Sequence, residues 1–155
     1  MTYTQQQQHS RPASYTPLSA PLYGASAPDA FIRFFKKYAT FSGRASRSEY
    51  WWWVLVNSIV TILFYLVLGL TSPNGTGEAS PGLLIALILL SVWVLVTIVP
   101  GVALLVRRLH DANLSGWMAL LGLIPLIGGI ILLVLVLIGP KPDAQRFDQP
   151  RAYRG

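Results

Sequence analysis

The chain has 155 residues, of which 53% are hydrophobic and only 12% charged, about half the ~25% charged share of ordinary soluble proteins. So few charges cannot cover a soluble domain, and the apolar residues gather in three long runs, which points to a membrane. There is no cysteine, which excludes disulfides, thiolate chemistry and cysteine-ligated metal centres; the net charge of +6, on a membrane chain, points to anionic lipid rather than nucleic acid.

Residues 1–28 are rich in Gln, Ser, Thr and Ala, with prolines at 12, 17, 21 and 28, and predict a disordered tail. They lack the charged start and apolar core of a secretory signal. An amphipathic helix is predicted over 29–41. Ser26 and Asp29 have capping-box spacing, and Pro28 suits a first turn. Phe31, Phe34, Phe35, Tyr38 and Phe41 share one helical face, while Arg33, Lys36, Lys37 and Thr40 share the other. Aromatics opposite a basic stripe describe a helix lying in the membrane interface.

Gly43 suits a turn, and Ser46 with Glu49 form a second capping pair, so the next helix is expected to start near residue 47. Tyr50, Trp51, Trp52 and Trp53 make an interfacial aromatic belt. Spans are predicted at about 51–70, 83–106 and 117–138. Twenty residues at ~1.5 Å each reach the ~30 Å of the hydrocarbon layer. Pro100 and Gly101 predict a kink late in the second. The fold class expected is thus an all-α membrane protein, three transmembrane helices preceded by the interfacial helix. The membrane domain covers 29–139, and 140–155 form a basic tail.

Arg33, Lys36, Lys37, Arg44 and Arg47 precede the first span, and Arg107 and Arg108 follow the second, whereas the loop between those spans has no Lys or Arg. The positive-inside rule then places the N-terminus in the cytoplasm of a multi-pass protein. Three crossings leave Lys141, Arg146, Arg151 and Arg154 outside. A re-entrant hairpin at Pro125 and Gly128-Gly129 would bring them back, but leaves backbone polar groups at mid-depth in need of partners. The length of the run favours the plain span.

The spans hold no Asp, Glu, Lys, Arg or His, which argues against a proton or ion pathway within one copy. Asn57 and Thr61 read as a helix–helix hydrogen-bonding stripe. The charges gather at one membrane face as Arg44, Arg47 and Glu49, then Arg107, Arg108, His110 and Asp111. Local pairs from Arg107 or Arg108 to Asp111 are possible, as are crossed pairs of Glu49 with Arg107 or Arg108 and of Asp111 with Arg44 or Arg47. Cations suit the C-terminal end of a helix, Asn113 suits the left-handed residue that ends one, and Ser115 is placed to cap the third. Arginines outnumber carboxylates here, and guanidinium forks match phosphate. These seven residues form a candidate anion or lipid-headgroup site or, more plainly, a structural polar network. One histidine outside the tail cannot complete a metal site, no oriented triad suggests a nucleophile, and no cofactor loop appears.

The stretches "FSGRASRSEYWWW" and "RRLHDANLSGWMALLGLIPLIGG" resemble F-x-G-R-x-x-R-x-E-Y-W and R-R-L-H-D-x-G-x-S-G-W-x-x-L-L-x-L-I-P-x-I-G. These are the two motifs of the bacterial inner-membrane family catalogued as domain of unknown function 805. The resemblance covers about residues 31–150. It places Phe41, Gly43, Arg44, Arg47, Glu49, Tyr50 and Trp51 in the first motif. Arg107, Arg108, Leu109, His110, Asp111, Ser115, Gly116, Trp117, Pro125 and Gly128 fall in the second. Asn113 stands where the family usually has Gly, and Gln145 and Asp148 depart from an N-R-[FY]-G-x-x-P ending. The resemblance implies a bacterial plasma-membrane protein and no established activity. The expected function is a non-enzymatic binding or assembly protein whose cytoplasmic arginines hold anionic lipid or a membrane-protein partner. The alternative is a subunit of an oligomeric transporter or channel.

Overall fold

A computed structural model of the chain describes residue 18, residues 20–71 and residues 80–148. Most of the tail at 1–28 and the end of the basic tail lie outside those residues. Among the described residues every regular element is helical.

Helix α1 spans Ala27–Lys36. It starts where the capping box places it: Ser26 Oγ accepts from the Asp29 amide, and the Asp29 carboxylate accepts from the Ser26 amide. The chain then turns through Gly43, whose φ of 82° lies in the left-handed region open to glycine at no steric cost. Helix α2 spans Arg47–Thr71, with the Ser46 hydroxyl and Glu49 carboxylate satisfying each other's backbone amides at 3.1 and 2.9 Å. Helix α3 spans Pro81–Asp111 and passes unbroken through Pro100. It starts on Ser80 and Pro81 and ends in a Schellman turn. There Asn113 stands at φ 61°, and the Leu114 and Asn113 amides donate to the Leu109 and His110 carbonyls, each at 2.9 Å.

Two of these helices, α2 and α3, are long and apolar enough to cross a membrane, and their apolar side chains are almost entirely exposed in the isolated chain. They pack antiparallel, with Trp53 against Trp93 and the Trp93 indole donating to Asn57 Oδ1 at 3.2 Å. The interhelical role expected of Asn57 is therefore the one it plays. Helix α1 packs on the start of α2: Phe34 is 1% exposed and stacks on Trp53 with ring centroids 3.3 Å apart. Burying a phenylalanine contributes ~1.5–3 kcal/mol and a stacked ring pair ~0.5–1.5 kcal/mol more. Arg33 and Lys37, expected on the basic stripe of an interfacial helix, are turned inward and buried.

The third apolar run is not one continuous helix. A 3₁₀ segment, Gly116–Leu123, is followed by a turn and by helix α4, Ile127–Leu137. Pro125 and Leu126, the latter at φ 64°, break the helical path. The two limbs then pack on each other through Gly128, where a Cβ would run into the Leu121 carbonyl oxygen. Both ends of the run return to the same end of α3. Gly116 sits against Val106 and His110, while the carbonyls of Val136 and Ile138 meet Arg108. The expected single helix over 117–138 is thus replaced by a hairpin. At ~1.5 Å per residue, the 11 residues of α4 reach only about half of a ~30 Å hydrocarbon layer. Past it, the Lys141 amide donates to the Asp111 carbonyl at 3.0 Å, and a 3₁₀ turn at Pro142–Phe147 lies against the end of α3.

The hairpin depends on the missing side chain at 128. Gly128→Ala is expected to destabilise the protein by about 1–3 kcal/mol through overpacking, read as a lower melting temperature in detergent. Gly129→Ala, with nothing within 4 Å of the added methyl, is expected to be neutral or to gain up to ~1 kcal/mol of helix propensity.

Candidate functional site

The ends of α1 and α3, the start of α2, the α4 end of the hairpin and the segment before α1 converge on one polar cluster. Arg33, Lys37, Arg44, Ser46, Glu49, Arg107, Arg108 and Asp111 are all at most 7% exposed. Buried charges are costly unless paired and hydrogen-bonded, so the partner of each one matters.

One half centres on Asp111. Its Oδ2 accepts from Arg108 Nη1 at 2.6 Å, its Oδ1 accepts from the Tyr23 hydroxyl at 3.0 Å, and Arg44 Nη1 lies 3.7 Å from Oδ1. Arg44 also grips Asp148 with a two-pronged fork, Nε to Oδ1 at 2.8 Å and Nη2 to Oδ2 at 2.6 Å. Burial pulls the Arg44 guanidinium down, but the bonds and charge of Asp148, with Asp111 behind them, hold its pKa above the usual arginine value. Burial, reinforced by the Asp111 charge, pushes the Tyr23 hydroxyl up, so it stays a proton donor. Arg108 is fully buried and donates through Nε to the Val136 carbonyl at 3.0 Å and through Nη2 to that of Ile138. Arg47, though exposed, donates to the Leu137 carbonyl. Two arginines therefore cap three successive carbonyls at the end of α4, where a helix leaves its acceptors unpaired and its dipole negative.

The other half centres on Glu49. Its Oε1 accepts from Arg33 Nε at 2.5 Å, and its Oε2 accepts from the Ser46 and Leu22 amides at 2.9 and 3.2 Å. Arg33 Nη2 reaches the Ala20 carbonyl at 2.5 Å. Residues 20–26, which composition assigns to the tail, thus lie across the cluster. Arg107 and Lys37 face this carboxylate without touching it. Arg107 donates through Nε to the Ala103 carbonyl at 3.1 Å, while its buried Nη2 has no partner among the described residues. Burial lowers the Lys37 pKa to about 8; Glu49 opposes that, and Arg33 and Arg107 add to it.

Of the seven residues expected at the site, Arg44, Glu49, Arg107, Arg108 and Asp111 are brought together. Arg47 serves the hairpin from the outside, and His110 faces away, stacked on Phe147 with ring centroids 4.1 Å apart. Of the charge pairs weighed, Arg108–Asp111 and Arg44–Asp111 form, whereas Glu49 takes Arg33 instead of Arg107 or Arg108. Ser115 makes no capping hydrogen bond with its side chain. Arg33, Lys37, Tyr23 and Asp148 belong to the cluster and were not expected there. Arg33 and Lys37 stand four residues apart, the spacing that shares one helix face, and that is the signal that could have found them. Among the described residues no three His, Asp or Glu side chains gather as metal ligands.

Residues 38–149 match the model of the family described as Protein of unknown function (DUF805). The chain belongs to this family. It is 37% identical over 122 residues to the inner membrane protein YhaH of Escherichia coli K12, a match covering 77% of this chain and 93% of that protein. It is also 39% identical over 107 residues to the inner membrane protein YhaI of the same organism, covering 67% of this chain and 79% of that protein. No solved structure matches.

Lys37 gives the fold a pH dependence of defined sign. Its folded pKa of about 8 lies below the ordinary 10.5, so between those values the unfolded chain binds more protons and stability rises with pH. The protein is expected to melt higher as pH rises from 8 to 10.5, with a flat contribution from this residue below 8. Lys37→Met should remove that slope, as read from melting temperature against pH.

Proposed function

We propose that this chain is a non-enzymatic bacterial inner-membrane protein that holds the phosphate of an anionic lipid headgroup in its buried basic cluster. In this reading α2 and α3 cross the bilayer, and the third run is a re-entrant hairpin. The segment before α2 and the C-terminal tail then share the cytoplasmic face, so all the flanking basic groups obey the positive-inside rule.

One observation carries the proposal. Five cations of the cluster, Arg33, Lys37, Arg44, Arg107 and Arg108, are buried against two buried carboxylates, Glu49 and Asp111. Even with Asp148 on Arg44, two positive charges have no counter-ion among the described residues, and Lys37 and Arg107 are the two without a direct carboxylate contact there. Unmatched buried charge destabilises a fold, whereas a phosphate accepting from a guanidinium and an ammonium offsets it with charge-assisted hydrogen bonds. Basic pockets at the cytoplasmic ends of membrane helices are where lipid headgroups bind.

The transporter alternative finds its best support in a groove of about 400 Å³ between α2 and α3, lined in part by Asn57, Thr61 and Thr97. Two features weigh against it: Asn57 is engaged by Trp93, and the Thr97 hydroxyl by the Trp93 carbonyl.

Native mass spectrometry in nanodiscs of equal phosphatidylglycerol and phosphatidylethanolamine tests the proposal. Wild type is expected to retain phosphatidylglycerol selectively. Lys37→Gln and Arg107→Gln, which also relieve a buried charge, are expected to stay folded and to lose that lipid by about tenfold or more, as charge-assisted bonds of ~1.5–3 kcal/mol require. Equal retention of the two lipids by wild type, or undiminished phosphatidylglycerol in both variants, would overturn it.

A further inference from the structure

The charged cluster occupies one side of the α3 end. On another side, between α3, the first limb of the hairpin and the last 3₁₀ turn, lies a groove of about 500 Å³, within the ~300–1,000 Å³ range of small-molecule sites. Its walls are apolar, among them Phe41, Val102, Val106, Leu120 and Phe147, and its polar groups are those of His110, Ser115 and the Trp117 indole.

The chemistry of His110 is fixed by its neighbours. Nδ1 lies 3.1 Å from the Gly43 carbonyl oxygen. A carbonyl only accepts, so Nδ1 carries the proton and the neutral ring presents a bare lone pair at Nε2. Phe147, stacked at an interplanar angle of 3°, holds the ring in that orientation. Gly116 lets the hairpin limb approach, since a Cβ there would stand 3.0 Å from Nε2 and 2.7 Å from Val106 Cγ1. Among the described residues no donor reaches Nε2, and the Ser115 hydroxyl is not used as a helix cap. At Nε2 the groove therefore offers a bare acceptor, where the cluster offers donors. A phosphate or carboxylate has no proton to give to Nε2 and is repelled by its lone pair.

We infer that this groove binds a neutral amphipath with a hydroxyl head and an apolar tail, a lipid-type alcohol. Its O–H donates to His110 Nε2, the Ser115 hydroxyl lies beside that contact, and its tail runs along Val102, Val106 and Leu120. The site is separate from the phosphate site proposed above and does not depend on it.

The test compares dodecanol with dodecyl methyl ether, which has the same tail and no proton to donate. The full chain is labelled with ¹⁵N-histidine and studied in mild detergent at pH 8, where a histidine of ordinary pKa ~6.5 is neutral. His9→Ala removes the signals of the only other histidine. Nε2 of His110 is expected to be unprotonated at the start and to shift upfield with dodecanol but not with the ether. Dodecanol is expected to bind about five- to tenfold more tightly, the scale of one net hydrogen bond. His110→Phe keeps a ring for Phe147 to stack on and is expected to bind both probes equally. A proton on Nε2 in the free protein, the same shift with the ether, or equal wild-type affinities would each overturn the inference.

Discussion

The last carbonyl oxygens of α4 have no partners within their own helix, and supplying those partners is the constraint on which the rest of the structure turns. Val136, Leu137 and Ile138 receive donors from Arg108 and Arg47. One arginine lies at the end of α3 and the other at the start of α2, so satisfying one helix end fastens three elements at a single level. The same closure brings Lys141 onto the Asp111 carbonyl and Asp148 onto Arg44. Arg108 is fully buried. Removing it would leave Asp111 without its closest cation and two carbonyls unpaired, a loss on the scale of ~3–5 kcal/mol for a broken buried pair.

That fastening uses positive charge beyond what the fold neutralises. Arg44 and Arg108 are fully engaged by carboxylates and carbonyls and act as staples. Lys37 and Arg107 are held at the same depth by α1 and α3 without a counter-ion in contact among the described residues, so the two halves of the cluster do different work. The Asp111 half holds the hairpin, and the Glu49 half presents the surplus charge on which the proposed headgroup site rests. The groove beside His110 adds a third environment with the opposite polarity, an acceptor in an apolar setting. A chain whose long apolar stretches hold no Asp, Glu, Lys, Arg or His thus concentrates its distinctive chemistry at one end of its helices.

Local signals in the sequence were reliable where a single turn decides the outcome. The Ser26–Asp29 and Ser46–Glu49 boxes, the turn at Gly43 and the left-handed Asn113 were legible because each rests on contacts within a few residues. Both long apolar helices were legible because twenty apolar residues have few alternatives. The hairpin was not, although Pro125 and Gly128 mark its turn. Choosing it over a span requires knowing that Arg108 and Arg47 meet the far end of α4, contacts between residues 28 and 90 positions apart in sequence. Periodicity placed Arg33 and Lys37 on the correct face, opposite Phe31 and Tyr38. It read that face as the basic stripe of an interfacial helix because nothing local shows that Glu49 lies beneath it. Asp148 carried no signal at all: one of two acids in a basic tail, it finds Arg44 only once the hairpin has closed.

The cysteine-free chain makes the topology directly testable by single-cysteine labelling with a membrane-impermeant maleimide, on spheroplasts and on inverted vesicles. Lys36→Cys and Asp143→Cys are expected to react together in inverted vesicles alone, and Glu78→Cys in spheroplasts alone, because a re-entrant third run returns the C-terminal segment to the cytoplasmic face. Reaction of the Asp143→Cys protein in spheroplasts, on the side of Glu78, would mean that the third run crosses the bilayer, and would contradict the two-span, re-entrant arrangement.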